Sequence, residues 1–307
     1  MKGFLARLLA AFGTCLALLA PFAAAHALTV QPAIEEVQAD PGKGDTKFLK
    51  ITNDEDSTQT FFVTIQKFVP KGENGQQEFL PLTDTKGLPE WMYVDKPQVT
   101  LKPGESDTLQ VSIRVPPGAA PGGYYAALFL AKRQNPEDAL AMLPRLGVLF
   151  FVRVNGNLQE HLSLTSFAVD KDSYDSLPVG FRTVIANEGM VHEQPVGTIR
   201  VRNLFGQTVA SFSANPEGNR ILPASSHVLL SRWEKGEGWS GFAIGPYVAT
   251  VTFNGPGFSG DVTREVRFSV WPWRLMAYAA GLLVLLVFLA VVFRKLVLHH
   301  ATSRTQT

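Results

Sequence analysis

The stretch LQVSIRV, residues 109–115, decides the fold class of this chain. Its apolar residues alternate with polar ones, and this period of two indicates a β-strand with one buried and one hydrated face. Continuous apolar strands are predicted over residues 124–130 and 148–154. Pairs such as Pro103-Gly104 and Asn155-Gly156 mark the turns between strands. Many short strands separated by turns predict an all-β sandwich.

Residues 1–27 have the composition of a secretory signal peptide. Lys2 and Arg7 precede an apolar run that begins at Leu8. Ala25 and Ala27 supply the small residues that a signal peptidase requires. The run is shorter than the ~20 apolar residues needed to cross a bilayer. We therefore predict a segment that is cleaved, rather than an N-terminal membrane anchor.

A second apolar run, residues 275–293, contains no charged residue. At a rise of 1.5 Å per residue it would be about 28 Å long as a helix, close to the ~30 Å thickness of the hydrocarbon core. Trp271 and Trp273 precede it, and Arg294 with Lys295 follow it. Aromatic and basic residues at these places are typical of anchors at the membrane interface. The run is predicted to be a single transmembrane helix.

The orientation of this helix follows from the signal peptide, because Lys and Arg are equally frequent on its two sides and give no bias. Export of everything that precedes the helix places the ectodomain outside the cytoplasm. The tail, residues 294–307, is then cytoplasmic and is expected to be too short to fold. The predicted location is the cytoplasmic membrane, with a periplasmic or cell-surface ectodomain.

Composition excludes several classes of function. The only cysteine, Cys15, lies in the signal peptide, so the mature chain is predicted to lack disulfides, a catalytic thiolate and Cys-ligated zinc. Five of the 28 basic residues lie in the signal peptide and the tail, whereas all 27 acidic residues lie between them. The ectodomain therefore carries a net charge of about −4, which disfavours nucleic acid as a partner.

The length of the ectodomain predicts two domains. A first set of strands ends near Asn155-Gly156, and a fresh set of alternating segments begins after it. We expect two tandem immunoglobulin-like sandwiches, residues 28–155 and 156–270. The Asn-Gly pair could equally form the loop of a hairpin, since that pair favours such turns.

Several short motifs occur along both predicted domains in a fixed order. They are Gln31-Pro32-Ala33-Ile34-Glu35, Asp40-Pro41-Gly42, Trp91, Leu101-Lys102-Pro103-Gly104-Glu105-Ser106, Val115-Pro116, Pro121-Gly122-Gly123-Tyr124-Tyr125, Asn187-Glu188-Gly189, His192 and Pro195-Val196-Gly197. This set resembles the WxL-interacting protein family of bacterial cell-surface proteins. The resemblance implies a first domain that binds peptidoglycan, a second domain that binds a partner, and a C-terminal span. It supplies no set of ligand-binding residues.

Motifs that carry chemistry are missing from the sequence. There is no Gly-x-Ser-x-Gly elbow, His-Glu-x-x-His helix or phosphate-binding glycine loop, so no catalytic, cofactor or metal residues are predicted. The segment from Asp170 to Asp175 resembles the start of a calcium loop, but it lacks the required glycine and has Phe181 at position twelve. This segment and residues 53–57 are expected to be solvated loops. The ectodomain histidines, His161, His192 and His227, are expected at the surface or at strand edges.

Four aromatic residues are candidates for a binding surface: Trp91, Tyr93, Tyr124 and Tyr125. Aromatic side chains stack on sugars and anchor protein interfaces, but they also fill cores, and for Trp91 a place in the core is favoured. We predict a non-catalytic, membrane-anchored envelope protein that presents its domains to cell-wall material or to a protein partner. The alternatives are an envelope-assembly chaperone, against which the predicted span argues, and a membrane-tethered hydrolase.

Overall fold

A computed structural model of the chain describes residues 28–72, 75–132, 145–236 and 243–303. The predicted signal peptide, residues 1–27, lies outside the described residues. No cysteine occurs in the described part of the chain.

The stretch that decided the fold class forms a strand with two distinct faces. Leu109, Val111 and Ile113 are buried almost completely, whereas Gln110 is exposed. Burial of such a side chain stabilises the folded state by about 1.5–3 kcal/mol. Because successive side chains of a strand point to opposite faces, the apolar half of this stretch enters the core.

The described residues of the first domain form ten strands and one short helix. They are β1 (Thr29–Gln31), β2 (Ile34–Ala39), β3 (Gly44–Thr52), β4 (Gln59–Lys71), β5 (Gln76–Phe79), α1 (Leu88–Trp91), β6 (Met92–Val94), β7 (Gln98–Leu101), β8 (Ser106–Arg114), β9 (Gly122–Lys132) and β10 (Arg145–Val154). One sheet has the order β1-β3-β8-β6. The other has the order β2-β10-β9-β4-β5, and β7 also pairs with β4.

Eight strands form in the described part of the second domain. They are β11 (Leu162–Val169), β12 (Ser173–Tyr174), β13 (Val179–Asn187), β14 (Val196–Asn203), β15 (Thr208–Ser213), β16 (Ser225–Trp233), β17 (Gly245–Asn254) and β18 (Val262–Val270). A three-stranded sheet has the order β11-β13-β16, and a five-stranded sheet has the order β12-β18-β17-β14-β15. The β2–β10 and β12–β18 pairs are parallel. The predicted fold class, tandem immunoglobulin-like sandwiches without disulfides, is confirmed.

Each sandwich has its own apolar core. Leu49, Phe61 and Phe150 are among the fully buried side chains of the first core, and Phe181 and Phe253 are among those of the second. Close packing of such side chains, rather than covalent cross-links, holds each pair of sheets together.

A buried asparagine at or just beyond the end of a strand fixes the neighbouring loop in each domain. Asn53 follows β3 and donates from Nδ2 to the carbonyl oxygen of Leu101 at 3.0 Å. Asn187 ends β13 and donates to the carbonyl oxygens of Val191 and Ile221 at 2.8 and 2.7 Å. Residues 53–57 were expected to be a solvated loop, and for Asn53 this is wrong: its side chain is fully buried because it satisfies backbone carbonyls that water cannot reach.

The chain ends in the helix α2 (Trp273–Ser303). Its segment Met276–Arg294 has a mean hydropathy of 2.7 and packs against no other described part of the protein. The predicted apolar helix at residues 275–293 is therefore confirmed, with a length and composition that suit a membrane span. The tail predicted to be too short to fold continues the helix to Ser303, since no proline or glycine interrupts it.

Candidate binding surfaces

Two of the four candidate aromatic residues belong to the core of the first domain. Trp91 is 8% exposed, and its ring centroid lies 4.3 Å from that of Tyr124. The hydroxyl of Tyr124 donates to the carbonyl oxygen of Ala120 at 2.9 Å. Burial raises the pKa of the Tyr124 hydroxyl. This pair fills the sandwich, as the sequence favours for Trp91.

The other two candidates lie elsewhere. Tyr125 follows Tyr124 in β9 and therefore points to the opposite face of its sheet, where its ring is 5.6 Å from that of His192 in the second domain. Tyr93 lies on the first domain's other sheet and is 53% exposed. The guanidinium of Arg114 lies 5.2 Å from the centroid of the Tyr93 ring. The four side chains thus do not form one surface, because strand alternation separates Tyr125 from Tyr124 and because Tyr93 lies on the other sheet.

Tyr93 belongs to a polar and aromatic outer face of the sheet β1-β3-β8-β6. Phe48 is 59% exposed and is paired across the sheet with Gln110, while Tyr93 is paired with Ser112. Residues paired directly across neighbouring strands share a face. Phe48 and Tyr93 are therefore two exposed rings separated by hydroxyl and amide side chains.

The two domains meet on the outer face of the sheet that contains β9 and β10. Phe68, Phe129 and Phe151 of the first domain are buried there with Leu222 of the second domain. The backbone N–H of Gly123 also donates across the joint to the carbonyl oxygen of Met190 at 2.9 Å. The joint therefore has a small apolar core of its own.

Charged groups surround this apolar joint. Arg220 of the second domain forms an ion pair with Glu36 of the first. Arg153 of the first domain forms an ion pair with Glu160, and its Nη1 lies 3.6 Å from Oε1 of Glu193. A cleft of about 360 Å³ opens between these groups. Glu36 with Arg220, and Arg153 with Glu160, thus pair opposite charges across the joint.

Burial at the joint shifts two pKa values. Desolvation lowers the pKa of His192 from 6.5 to about 4. Desolvation and the nearby charge of Glu160 raise the pKa of Glu193 from 4.5 to about 7, against the opposing effect of Arg153. The expected position, at the surface or at a strand edge, is wrong for His192, which packs 5.0 Å from the ring of Phe151. His227 does lie in an edge strand, β16, but its side chain is only 8% exposed. Packing between domains, which no local pattern encodes, buries both.

Several strand edges carry features that hinder pairing with another chain: β11 and β15 in the second domain, and the part of β3 that extends beyond the short strand β1. Thr165 of β11 and Val209 of β15 are extra residues that form bulges. In β3, Lys47 is paired with the buried Val111 of β8 and lies on the same inward face. Its Nζ is 3.0 Å from Oδ2 of Asp45. Bulges and inward-pointing charges are devices that protect an edge from aggregation.

The edge of β16 has none of these features. The strand has nine residues in unbroken register with β13, and among the described strands nothing pairs with its second edge. Leu230 is 60% exposed on its outer face, and Arg232 is its only charged residue. The start of β16 borders a cleft of about 510 Å³ that Pro70 and Gly72 of the first domain also line.

The acidic segment after β11 has a structural role. The carbonyl oxygens of Asp172 and Tyr174 accept hydrogen bonds from the backbone N–H groups of Ser269 and Trp271, at 2.9 and 2.7 Å. These contacts fix the end of β18 where the chain enters α2. Across the described ranges, no group of three or more His, Cys, Asp or Glu residues is placed to hold a metal ion.

Comparison with known proteins gives similarity to solved structures alone. No family model matches the chain, and no curated protein matches it. A chain of a chaperone–tip adhesin complex of CFA/I fimbriae is 9% identical over 78% of this chain and 97% of its own, with a TM-score of 0.41. The class 5 fimbriae chaperone CfaA is 10% identical over 78% and 98%, with a TM-score of 0.40. The CupB2 chaperone of Pseudomonas aeruginosa is 11% identical over 79% and 100%, with a TM-score of 0.37. These TM-scores transfer no function to this chain.

Proposed function

We propose that this protein is a non-catalytic, membrane-anchored envelope protein that binds an extended segment of another envelope protein along β16. The observation that carries the proposal is the nine-residue open edge of β16, which lacks the protection found at the edge strands β11 and β15 and at the part of β3 that extends beyond β1.

Strand addition would use the backbone of β16. An edge strand presents unpaired N–H and C=O groups, and an added strand pairs with them while its side chains enter neighbouring pockets. Leu230 and Val228 lie on the outer face beside this edge, and Val184 is paired with Val228. These residues would contact the apolar side chains of the bound segment.

The cleft between the domains would extend the same surface. Ser226 and Ala186, paired across the outer face, line the cleft together with Pro70 of the first domain. A segment lying on β16 would therefore run from the helix end of the second domain towards the first domain. The apolar and charged contacts at the joint would hold both parts of the surface in one arrangement.

Anchoring in the membrane would keep this surface near envelope partners. The segment Met276–Arg294 has the length of a span, with Trp271 and Trp273 at one end and Arg294 at the other. The side chain of the fourth predicted anchor, Lys295, lies outside the described residues. A signal peptide would place the ectodomain outside the cytoplasm. A tethered binding protein meets its neighbours at a raised effective concentration.

A client chaperone, one of the alternatives from the sequence, would use the same edge to hold a segment of an unassembled subunit. The similar structures include chaperone complexes with an adhesin and with a pilin, but the edge of β16 supports the proposal independently of them. A tethered hydrolase has less support, since the joint between the domains pairs Glu193 with Arg153 rather than with a nucleophile.

Binding of cell-wall glycan, implied by the resemblance to the WxL-interacting family, is a second candidate. The exposed rings of Phe48 and Tyr93, with Gln110 and Arg114 between or beside them, favour it. Aromatic faces flanked by hydrogen-bonding groups suit sugar rings. Sedimentation of the protein with purified wall, and its loss in Tyr93→Ala, would support this candidate. No sedimentation would refute it without affecting the proposal for β16.

Crosslinking in membranes tests the main proposal. A photoreactive amino acid replaces Leu230 in one variant and Phe48 in a matched control, and both positions are exposed. The partner segment crosslinked at 230 is then synthesised as a peptide. Leu230→Lys should weaken binding of this peptide about fivefold or more, equivalent to about 1 kcal/mol, and Phe48→Lys should not. Equal crosslinking at both positions, or equal affinities, would refute strand addition at β16.

A further inference from the structure

The turn between β14 and β15 exposes two large apolar side chains. Leu204 is 73% exposed and Phe205 is 83% exposed, more than any other large apolar residue of the described ectodomain. No charged residue occurs between Asn203 and Ser213. Adjacent exposed apolar residues of this kind mark a site of interaction.

This turn is rigidly built. The side-chain Oδ1 of Asn203 accepts hydrogen bonds from the backbone N–H groups of Phe205 and Gln207, each at 3.0 Å. The backbone N–H of Gly206 donates to the carbonyl oxygen of Asn203 at 2.9 Å, and φ at Gly206 is +77°, where glycine is favoured. Leu204 and Phe205 are therefore held outward by a defined turn.

Strand register places the turn at the membrane end of the second domain. Asn203 is paired with Tyr247, and Tyr247 is paired with Phe268. Phe268 lies five residues before the start of α2 at Trp273. The turn therefore projects to about the level of the helix entry. It lies two strands to the side, about 10 Å at the usual strand spacing.

Other exposed apolar residues lie at the same end. Ile244 is 56% exposed immediately before β17, whose first residue, Gly245, is paired with Val270. Trp273 is 59% exposed at the start of α2. The turn, Ile244 and Trp273 thus expose apolar side chains at three separate places, all at the end of the second domain where α2 begins.

We propose that Leu204 and Phe205 insert into the interface of the extracytoplasmic leaflet, as a second membrane contact beside α2. The inference rests on the proposed membrane anchoring. Aromatic and aliphatic side chains at this depth bury their apolar surface among headgroups and upper acyl chains. Two contacts about 10 Å apart would stop the second domain from tilting freely about α2, at the strand spacing used above. The edge of β16 would then keep one orientation relative to the bilayer.

The test uses the full chain in phospholipid vesicles, with Cys15→Ser to remove the only native thiol. Phe205→Cys is labelled with an environment-sensitive nitrobenzoxadiazole fluorophore. The matched control is Val196→Cys, which is 67% exposed at the other end of β14. Val196 lies seven residues before Asn203 in β14, and therefore about 24 Å from the turn along the strand. Lipids with a nitroxide near the headgroup report contact with the bilayer by quenching.

The proposal expects a blue shift and strong quenching for the label at 205, and neither for the label at 196. Alkaline carbonate extraction of the same vesicles reports separately whether α2 is integrated. An integrated chain whose label at 205 is water-exposed and unquenched would overturn the second contact and leave the anchor intact. Complete extraction by carbonate would overturn the anchor and the inference together.

Discussion

Glu193 should destabilise the joint between the domains at neutral pH, and replacement by glutamine should remove this effect. Its side chain is only 11% exposed. Desolvation and the charge of Glu160 raise its pKa from 4.5 to about 7. A group with a raised pKa contributes stability that is fully present below its unfolded pKa of 4.5. That contribution is lost as the pH rises through 7, and its size is about 3 kcal/mol.

The measurement is the free energy of unfolding by urea, for the wild type and Glu193→Gln, from pH 4.5 to 8. We expect a difference below about 0.5 kcal/mol near pH 4.5, where the carboxyl is protonated in the folded state and half protonated in the unfolded state, and a variant more stable by about 2–3 kcal/mol at pH 8. His192 has the opposite behaviour: its lowered pKa of about 4 means that its contribution is lost as the pH falls from 6.5 through 4. Both proteins share this effect, so the difference between them isolates Glu193.

Two results would refute this reasoning. A difference in stability that does not change with pH would show that Glu193 titrates alike in the folded and unfolded states. A wild type that is more stable than the variant at pH 8 would show that attraction to Arg153, 3.6 Å away, outweighs burial and the charge of Glu160.

Three further predictions concern packing and buried polar groups. Asn187→Ala should lower the free energy of unfolding by about 1–3 kcal/mol, because two buried carbonyls lose their donor, as thermal unfolding followed by circular dichroism would show. Leu222→Ala should cost about 2 kcal/mol and speed proteolysis between the domains, whereas exposed Leu204→Ala should change stability by less than about 0.5 kcal/mol. Phe253→Ala, in the second core, should cost about 3–5 kcal/mol. Equal effects of the two leucine substitutions, or a neutral Asn187→Ala or Phe253→Ala, would contradict these assignments.

The fold class could be predicted because the two-residue period of apolar side chains in the sequence determines which side chains of a strand are buried in the core. The alternation at residues 109–115 becomes the buried and exposed faces of β8. The uncharged run at 275–293 likewise becomes an apolar helix. Both features depend on local sequence alone, and neither requires knowledge of which distant residues meet.

The candidate surfaces depended on contacts between distant residues. Tyr124 and Tyr125 are adjacent in sequence but serve the core and the domain joint, and the choice depends on which face of β9 the second domain covers. His192 packs against Phe151 of the first domain. His227 is buried although it lies in the edge strand β16. The repeated strand-end asparagines were a local signal: Asn53 and Asn187 each follow an alternating apolar segment, and this could have indicated buried caps.

The importance of β16 could not be predicted, because an open edge is a property of sheet order. Its sequence, like that of β15, is uncharged over most of its length. The bulge at Val209 distinguishes β15 from β16, and this bulge is visible only in the register with β14. Sheet order and register therefore identify the open edge proposed for binding, which composition does not reveal.

Amide hydrogen exchange along β16 measures directly whether a bound segment adds a strand to this edge. The exchange rates of Ser225–Trp233 are measured in the full chain, with and without the synthetic peptide obtained from crosslinking at 230. Strand addition predicts that the peptide slows exchange within β16, through new backbone hydrogen bonds, and that Leu230→Lys reduces this protection. Unchanged exchange in β16 while the peptide is bound, or protection confined to another strand, would contradict it.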